Sequence, residues 1–257
     1  MQKFYHFSID DVFDSLIEIT DFDIALFEHP FFAFLQSLHV NYSCYIDLYV
    51  FYQKVVQGKQ RRLSEISSHI KKDFIAATWL SLGPHALDYD TAPHTQSIEI
   101  QKKTFNMIYK EIDRFAGFYN RSQWLRLHYF SEAYELGSYW QRQGVNTLLL
   151  TDKPAAAYGL PNKEKEQLIR KGFIEYKQLN LRSSHERMEN LAVETINDLE
   201  LQTRFSNHLE KHNCIILFSH EINMSEADVQ AITHRSLSCV SQNLDIRRII
   251  PISKHGY

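Results

Sequence analysis

The stretch YHFSIDDVF, residues 5–13, ends a run of aromatic and apolar residues with two adjacent carboxylates, Asp10 and Asp11. The run has the length and composition of a buried strand. Neighbouring carboxylates raise each other's cost of ionisation, so such a pair is expected where a cation or a shared proton is present. Capping of a following helix is the alternative, but a cap requires only one carboxylate. We therefore predict that the first strand ends at a metal site.

The composition is typical of a folded protein with one large core. The chain has 257 residues, 44% of them hydrophobic and 23% charged, and a net charge of −3. This charge gives no general attraction to nucleic acid or anionic lipid. The first residues lack the pattern of a secretory signal, and no apolar run is long enough to span a membrane. The three separated cysteines fit a reducing compartment. We predict a single cytoplasmic domain over residues 1–257, with no nucleic-acid partner and no membrane span.

Apolar runs of strand length alternate with longer helical patterns along the chain. The predicted strands are 4–9, 44–52, 77–82, 124–130, 145–151, 214–219 and, as a seventh, 173–181. The predicted helices are 95–115, 131–144, 191–209 and one that begins at Ser225 with a capping box. Such alternation requires a parallel sheet covered by helices. We predict an α/β fold, a distorted (β/α) barrel of six to eight mostly parallel strands, with a doubly wound sheet as the alternative.

Polar residues collect where the predicted strands end, which is where parallel barrels form their active sites. They are Asp10, Asp11, His85, Arg126, His128, Tyr129 and His220. Imidazoles combined with a carboxylate suit Zn²⁺, with Co²⁺, Ni²⁺ or Fe²⁺ as alternatives. Bound water then loses a proton near pH ~7, a second carboxylate can accept that proton, and a histidine can protonate a leaving nitrogen. We predict one divalent metal and the hydrolysis of an amide.

Four segments resemble motifs of the polysaccharide deacetylase superfamily, also called the NodB-homology or carbohydrate esterase family 4 superfamily. Ser8-Ile9-Asp10-Asp11-Val12 resembles its Thr/Ser-Phe-Asp-Asp-Gly motif, and His85 stands where its histidine motif follows the third strand. Arg126-Leu127-His128-Tyr129 resembles its Arg-x-Pro-Tyr segment, and Phe218-Ser219-His220 its late apolar-x-His motif. The matches keep the family's order over residues 4–221. The resemblance implies a NodB-like distorted barrel that hydrolyses an N- or O-acetyl group on a sugar polymer.

The resemblance also implies roles for individual residues. Asp10 would be the general base, oriented by Arg126, and His220 the general acid. Asp11 and His85 would be metal ligands. Backbone N–H groups near Tyr129 and Phe130 would help to hold the oxyanion. We assign His128 and Tyr129 to substrate binding.

Three positions depart from the family pattern, and the third metal ligand stays open. Val12 replaces the glycine after the Asp pair, His128 replaces the proline of Arg-x-Pro-Tyr, and Tyr89 stands where the second histidine of His-x-x-x-His is expected. His94, Asp88, Asp90 and His128 are the candidates for the third ligand. We select His94 as the metal ligand, because imidazole is the ligand type of the family. No Asp-x-x-x-Trp motif is found.

Further short matches indicate the substrate class. The segment 126–131, together with Thr151-Asp152 and Tyr158-Gly159-Leu160, resembles divergent members associated with surface-polysaccharide biosynthesis. A carbohydrate or a small amide is the expected partner. The alternatives are a non-catalytic member of the fold that binds carbohydrate or assists assembly, and a hydrolase of a small non-sugar amide.

Overall fold

The computed structural model describes residues 3–151, 158–183, 186–243 and 247–248. Asp152, part of one sequence match above, lies outside these ranges. The strands are β1 (Phe4–Val12), β2 (Ile46–Phe51), β3 (Gln53–Val56), β4 (Lys59–Arg62), β5 (Leu80–Ala86), β6 (Trp124–Leu125), β7 (Thr147–Leu149), β8 (Phe173–Tyr176), β9 (Leu179–Arg182), β10 (Glu186–Arg187), β11 (Cys214–His220) and β12 (Arg247–Arg248). The helices are α1 (Asp14–Phe22), α2 (Pro30–Tyr42), α3 (Lys71–Ala76), α4 (Ile98–Phe115), α5 (Gly137–Arg142), α6 (Asn162–Lys171), α7 (Met188–Val193), α8 (Asp198–His212) and α9 (Ala227–Ser238).

The larger sheet is parallel and has β1 near its middle. Its order is β10-β11-β1-β2-β5, and β12 adds a short pairing to the beginning of β1. β1 and β11 run in register from the pair Phe4–Cys214 to the pair Asp10–His220. This register makes Asp10 and His220 direct neighbours at the carboxyl end of the sheet.

The smaller sheet has the order β6-β7-β9-β8, in which β8 is antiparallel to β9. It continues the larger sheet through a parallel bridge between Leu82 and Arg121. The two sheets also face each other across the interior, since the Trp124 ring stacks on His6 with 5.1 Å between ring centroids. Within the described strands the hydrogen bonds form these two sheets and the separate antiparallel hairpin β3–β4, rather than one closed ring. The predicted α/β class with mostly parallel strands is confirmed.

The close approach of the two sheets depends on a glycine in β5. A Cβ atom at Gly83 would lie 2.3 Å from Leu125 Cδ2. Since real Cβ contacts are essentially never this short, a larger residue at position 83 would have to displace the Leu125 side chain of β6. Gly83 directly precedes Pro84 and lies two residues before His85.

The helix at 95–115 is confirmed as α4, and it buries its predicted apolar stripe. Phe105, Ile108, Ile112 and Phe115 are each at most 1% exposed. Ser97 caps the helix, because its hydroxyl accepts a hydrogen bond from the Ile100 N–H. Across the described part of the chain, no helix combines the length and apolar character required to cross a membrane.

Four local predictions are wrong, because short-range backbone chemistry prevails over the apolar pattern. The predicted strand 124–130 ends at Leu125, and a 3-10 turn follows at His128–Phe130. The predicted helix 191–209 divides into α7 and α8 near Thr195, whose φ is 51°. The predicted strand 173–181 is the hairpin β8–β9, which turns at two residues with positive φ, Lys177 and Gln178. The capping box at Ser225 does not form, since its hydroxyl donates to the Ile222 carbonyl instead.

Candidate active site

Asp10 and Asp11 both reach the site because β1 is irregular at this point. The register between β1 and β2 shifts between Ile9 and Val12, and Asp11 takes a left-handed backbone with φ 61°. Successive strand residues normally point to opposite faces, and a bulge re-aims one of them. Aspartate adopts the left-handed region more readily than most residues. Val12 therefore remains buried in β1, and the glycine of the related motif is not required.

Asp11, His85 and His128 form a compact group of potential metal ligands. Asp11 Oδ1 lies 3.1 Å from His85 Nε2 and 3.6 Å from His128 Nδ1. The two ring nitrogens are 3.2 Å apart. Ligands placed tetrahedrally at about 2.05 Å from a zinc ion are about 3.3 Å from one another. The three atoms therefore have the spacing of one triangular face of a tetrahedral zinc site.

Two backbone carbonyls determine which ring nitrogens of the histidines carry protons. His85 Nδ1 lies 2.7 Å from the Arg126 carbonyl, and His128 Nε2 lies 2.8 Å from the Tyr89 carbonyl. A carbonyl oxygen only accepts, so each of these nitrogens donates. In the neutral rings His85 Nε2 and His128 Nδ1 then hold lone pairs directed at one another and at Asp11. Three electron-rich atoms at this spacing repel unless a cation lies between them, so the group fits a divalent metal.

The charges of the group agree with metal binding at neutral pH. Burial raises the pKa of Asp11, but the His85 contact and the nearby imidazoles outweigh it and lower the pKa to about 2. Burial, helped by the proximity of His85, lowers the pKa of His128 to about 4. Burial also acts to lower the pKa of His85, yet the carboxylates of Asp11 and Asp10 raise it overall. A proton therefore competes with a cation for His85, and metal binding would release that proton where it is present.

Asp10 is held by a buried arginine. Arg126 Nη1 donates to Asp10 Oδ1 at 2.8 Å and to Ser8 Oγ at 2.9 Å, and Arg126 is 1% exposed. The Phe218 ring lies over the guanidinium, with its centroid 4.1 Å from the Arg126 Cζ. The guanidinium remains charged under these conditions. Arg126 thus holds the Asp10 side chain in place at the end of β1.

His220 is oriented by a carboxylate that the sequence reasoning missed, Glu189. Glu189 Oε1 accepts from the Ser219 hydroxyl at 2.9 Å, from the His220 N–H at 2.8 Å and from His220 Nδ1 at 3.0 Å. Burial raises the pKa of Glu189, but the bonds to His220 and Ser219 lower it to about 2. Glu189 follows β10, which has only two residues and contains no apolar run from which a strand could be predicted. An acidic residue at the beginning of a helical pattern was the available signal.

The remaining candidates for the third ligand are engaged elsewhere. His94 is not a member of the metal-binding group: its Nδ1 contacts Ser131 Oγ at 2.9 Å, and its ring stacks on Tyr158 at 3.6 Å. Asp88 accepts hydrogen bonds from Gln53 and Thr91. Asp90 lies on the exposed surface. The structure instead brings His128 to Asp11 and His85, although we had assigned His128 to substrate binding.

These groups open into a groove with a volume of about 930 Å³. Asp10, Asp11, His85, Arg126, His128, Tyr129 and His220 all line it. Tyr129 and Phe130 have φ values of 55° and 53°, two consecutive left-handed residues without glycine. Such strain persists only where the surrounding structure enforces it, and it concentrates at functional sites. The groove therefore combines the Asp10 and His220 side chains, a group of potential metal ligands and a constrained backbone.

Comparisons with known proteins relate the fold to carbohydrate-active proteins. No protein-family model and no curated protein matches the sequence. Among solved structures, the 4-alpha-glucanotransferase from Thermococcus litoralis is similar with a TM-score of 0.59 and 11% identity, over 97% of this chain and 39% of that one. The Bc1960 peptidoglycan N-acetylglucosamine deacetylase is similar with a TM-score of 0.50 and 8% identity, over 96% of this chain and 86% of that one.

A third solved structure is similar with a slightly lower TM-score. A family 4 acetyl xylan esterase from Clostridium thermocellum, in complex with a cobalt ion, has a TM-score of 0.49 and 10% identity, over 96% of this chain and 87% of that one. This chain spans less than half of the glucanotransferase. The NodB-like deacetylase fold expected from the sequence motifs is confirmed. Identities this low show the fold alone, so the function has to be argued from the site.

Proposed function

We propose that this protein is a metal-dependent hydrolase that removes the acetyl group from an N-acetylated sugar or polysaccharide precursor. The observation that carries the proposal is the convergence of Asp11 Oδ1, His85 Nε2 and His128 Nδ1 at 3.1–3.6 Å. This set has two nitrogens and one oxygen, which suits Zn²⁺, with Co²⁺, Ni²⁺ or Fe²⁺ as alternatives. The deacetylase with a similar fold supports the choice of substrate.

The residues around this group would divide the chemistry between them. A bound divalent ion supplies hydroxide near neutral pH and polarises the acyl carbonyl. Asp10, fixed by Arg126, accepts the proton of the attacking water. His220, held by Glu189, donates a proton to the leaving nitrogen. Backbone N–H groups near Tyr129 would help to stabilise the oxyanion.

Single substitutions at the proposed ligands test the metal site. We expect Asp11→Ala and His128→Ala to lose the metal, because each removes one of three ligands. His94→Ala should bind one equivalent of Zn²⁺ like the parent, since His94 contacts Ser131 and Tyr158 instead. The measurement is metal content after dialysis against Zn²⁺. If His94→Ala lost the metal and His128→Ala kept it, the proposed ligand set would be wrong.

Asp10→Asn separates metal binding from catalysis. We expect this variant to retain Zn²⁺ but to lose at least about 100-fold in kcat, because an amide cannot accept the proton. Release of acetate from N-acetylglucosamine oligomers is the assay. Normal metal binding without turnover by the parent protein would instead favour a carbohydrate-binding role for the fold. Turnover of small amides alone would favour a non-sugar substrate.

A further inference from the structure

One wall of the groove carries a cation whose charge is only partly matched. Arg187, at the end of β10, has a side chain that is 43% exposed. Its Nε donates to Glu189 Oε2 at 3.2 Å, and its Nη2 lies 3.1 Å from His220 Nδ1. Its Nη1 has no acceptor among the described residues. The guanidinium thus presents an unused donor to the groove beside the proposed general acid.

Arg187 shares its carboxylate partner with another side chain. Glu189 contacts Arg187 through Oε2 and His220 through Oε1, so it is divided between the two residues. The other basic residues that line the groove are matched by their own carboxylates: Arg126 by Asp10, Lys54 by Asp14, and Arg204 by Glu186 and Glu194. Arg187 is therefore the groove cation best able to take an external anion.

The groove also carries exposed aromatic rings. Tyr89, Tyr129 and Tyr158 line the groove and are 57%, 48% and 44% exposed. The Tyr158 hydroxyl donates to the Tyr129 carbonyl at 3.0 Å, and stacking on His94 fixes the Tyr158 ring. Exposed rings held in this way suit the C–H face of a pyranose. The groove thus offers both aromatic rings and a guanidinium with one unused donor.

We infer that the substrate is a sugar with an anionic substituent, a carboxylate or a phosphate, which Arg187 binds beside the acyl group. This inference rests on the proposed function for the acyl group and adds the charge of the substrate. A guanidinium is the side chain best suited to either anion, because its planar donors match two oxygens at once.

Binding to the zinc-loaded Asp10→Asn variant tests the inference without turnover. The ligands are N-acetylglucosamine, its 1-phosphate and N-acetylmuramic acid, and the measurement is titration calorimetry at low and high salt. We expect at least one anionic sugar to bind about tenfold or more tightly than the neutral one, with a preference that weakens in salt. Glucose, glucose 1-phosphate and glucuronate repeat the comparison on the zinc-loaded parent, which cannot deacetylate them.

Arg187→Gln and Lys54→Gln provide matched charge removals in the same groove. Arg187→Gln should abolish the preference for the anionic sugar and leave binding of the neutral sugar within about twofold, because it removes the cation that has a donor left for an external anion. Lys54→Gln should keep the preference, since Asp14 lies 2.6 Å from the Lys54 Nζ. The better of the two anionic ligands identifies the substituent as carboxylate or phosphate.

Three results would overturn the inference. They are equal binding of neutral and anionic sugars by the parent site, an equal loss for all ligands in Arg187→Gln, and an equal loss of preference in Lys54→Gln. The second would make Arg187 a positioning residue for His220. Since binding is measured without catalysis, a failure to release acetate would count against the proposed function and would leave this result standing.

Discussion

At the residue scale, the position of His220 depends on a single carboxylate. Glu189 Oε1 accepts from both the main-chain N–H and the Nδ1 of His220, so it fixes the ring orientation and the tautomer together. The carboxylate also stabilises an imidazolium when His220 takes up a proton. Glu189 itself does not line the groove, and it acts through the histidine.

Glu189→Gln should therefore affect catalysis while leaving the metal in place. We expect kcat to fall about 10–100-fold with Zn²⁺ content unchanged, because the amide keeps the shape but loses the charge. Steady-state rates and metal analysis on the same preparations are the measurements. Glu194→Gln, on an exposed residue just after α7, is the control and should stay within about twofold. Similar losses in both variants would contradict the role of Glu189.

At the element scale, a buried carboxylate joins the end of β11 to the beginning of α1. Glu221 accepts hydrogen bonds from the N–H groups of Phe13, Asp14 and Ser15 at 2.9, 2.9 and 2.8 Å. These are among the donors that the first turn of a helix leaves without partners. Glu221 therefore caps α1 from a distant segment. Because Glu221 directly follows His220, this cap connects the chain after Asp11 to the end of β11.

Removing this cap should destabilise the protein strongly. Glu221→Ala leaves three buried N–H groups without an acceptor, and we expect the free energy of unfolding to fall by roughly 2–4 kcal/mol. Urea denaturation is the measurement. Glu226→Ala is the matched control, because this exposed residue makes no side-chain bond to α9, and it should cost under about 0.5 kcal/mol. Equal losses would show that the cap has no special role.

His208 in α8 makes the free energy of unfolding dependent on pH. Burial, together with the positive charges of His212, Lys211 and Arg204, lowers the pKa of His208 to about 4. In the unfolded chain the pKa of a histidine is about 6.5, so the unfolded state binds more protons between these two values. The contribution of His208 is therefore complete above pH about 6.5 and is lost as the pH falls toward 4.

His208→Gln should flatten this part of the stability profile. We expect the difference in unfolding free energy between pH 7 and pH 4.5 to shrink by at most about 3 kcal/mol, because glutamine has no proton to gain. Urea denaturation across that range is the measurement. His39→Gln is the comparison variant. His39 lies in α2, far from His208 in the sequence, and its Nδ1 contacts the Cys44 carbonyl. A profile unchanged by His208→Gln would contradict the assignment.

At the scale of the whole molecule, the proposed metal connects segments that are far apart in the chain. Asp11, His85 and His128 come from the ends of β1 and β5 and from the turn after β6. Two of these elements belong to the larger sheet, and the third belongs to the smaller one. A cation at this point would therefore hold the two sheets together in the folded state only.

Added Zn²⁺ should raise the melting temperature. With free Zn²⁺ at 100 times its Kd, the folded state gains about 2.7 kcal/mol, which for a chain of this size corresponds to about 5–10 °C. Calorimetry with and without the metal measures the shift. Asp11→Ala should show no shift. The same increase in both proteins would indicate zinc bound at the surface and would contradict a site between the sheets.

Much of this site can be predicted from the sequence, because it lies directly where strands end. Asp10, Asp11 and His220 follow apolar runs, and the parallel sheet brings such ends together. The third ligand cannot be predicted in the same way, because His94 and His128 have identical chemistry. What separates them is the path of two loops, which leaves one ring on Tyr158 and brings the other to His85.

Other features depend on backbone chemistry that a single sequence does not reveal. The bulge at Asp11 requires a left-handed residue that is not glycine. Glu189 lies beyond a two-residue strand, and the pairing that makes β10 a strand comes from β11. The division between α7 and α8 occurs inside an apolar pattern that continues on both sides. In each case the apolar pattern carries no information about the local backbone conformation or strand pairing.

Tyr89 stands where the related motif has a histidine, and this difference affects how the groove can vary. Tyr89 supports His128 through its main-chain oxygen, which every amino acid possesses. The Tyr89 ring is meanwhile exposed on the rim. Residue 89 can therefore exchange its side chain and keep the oxygen that accepts from His128 Nε2, while the groove surface and the packing of the Tyr89 ring against the His128 ring, with centroids 5.4 Å apart, would change.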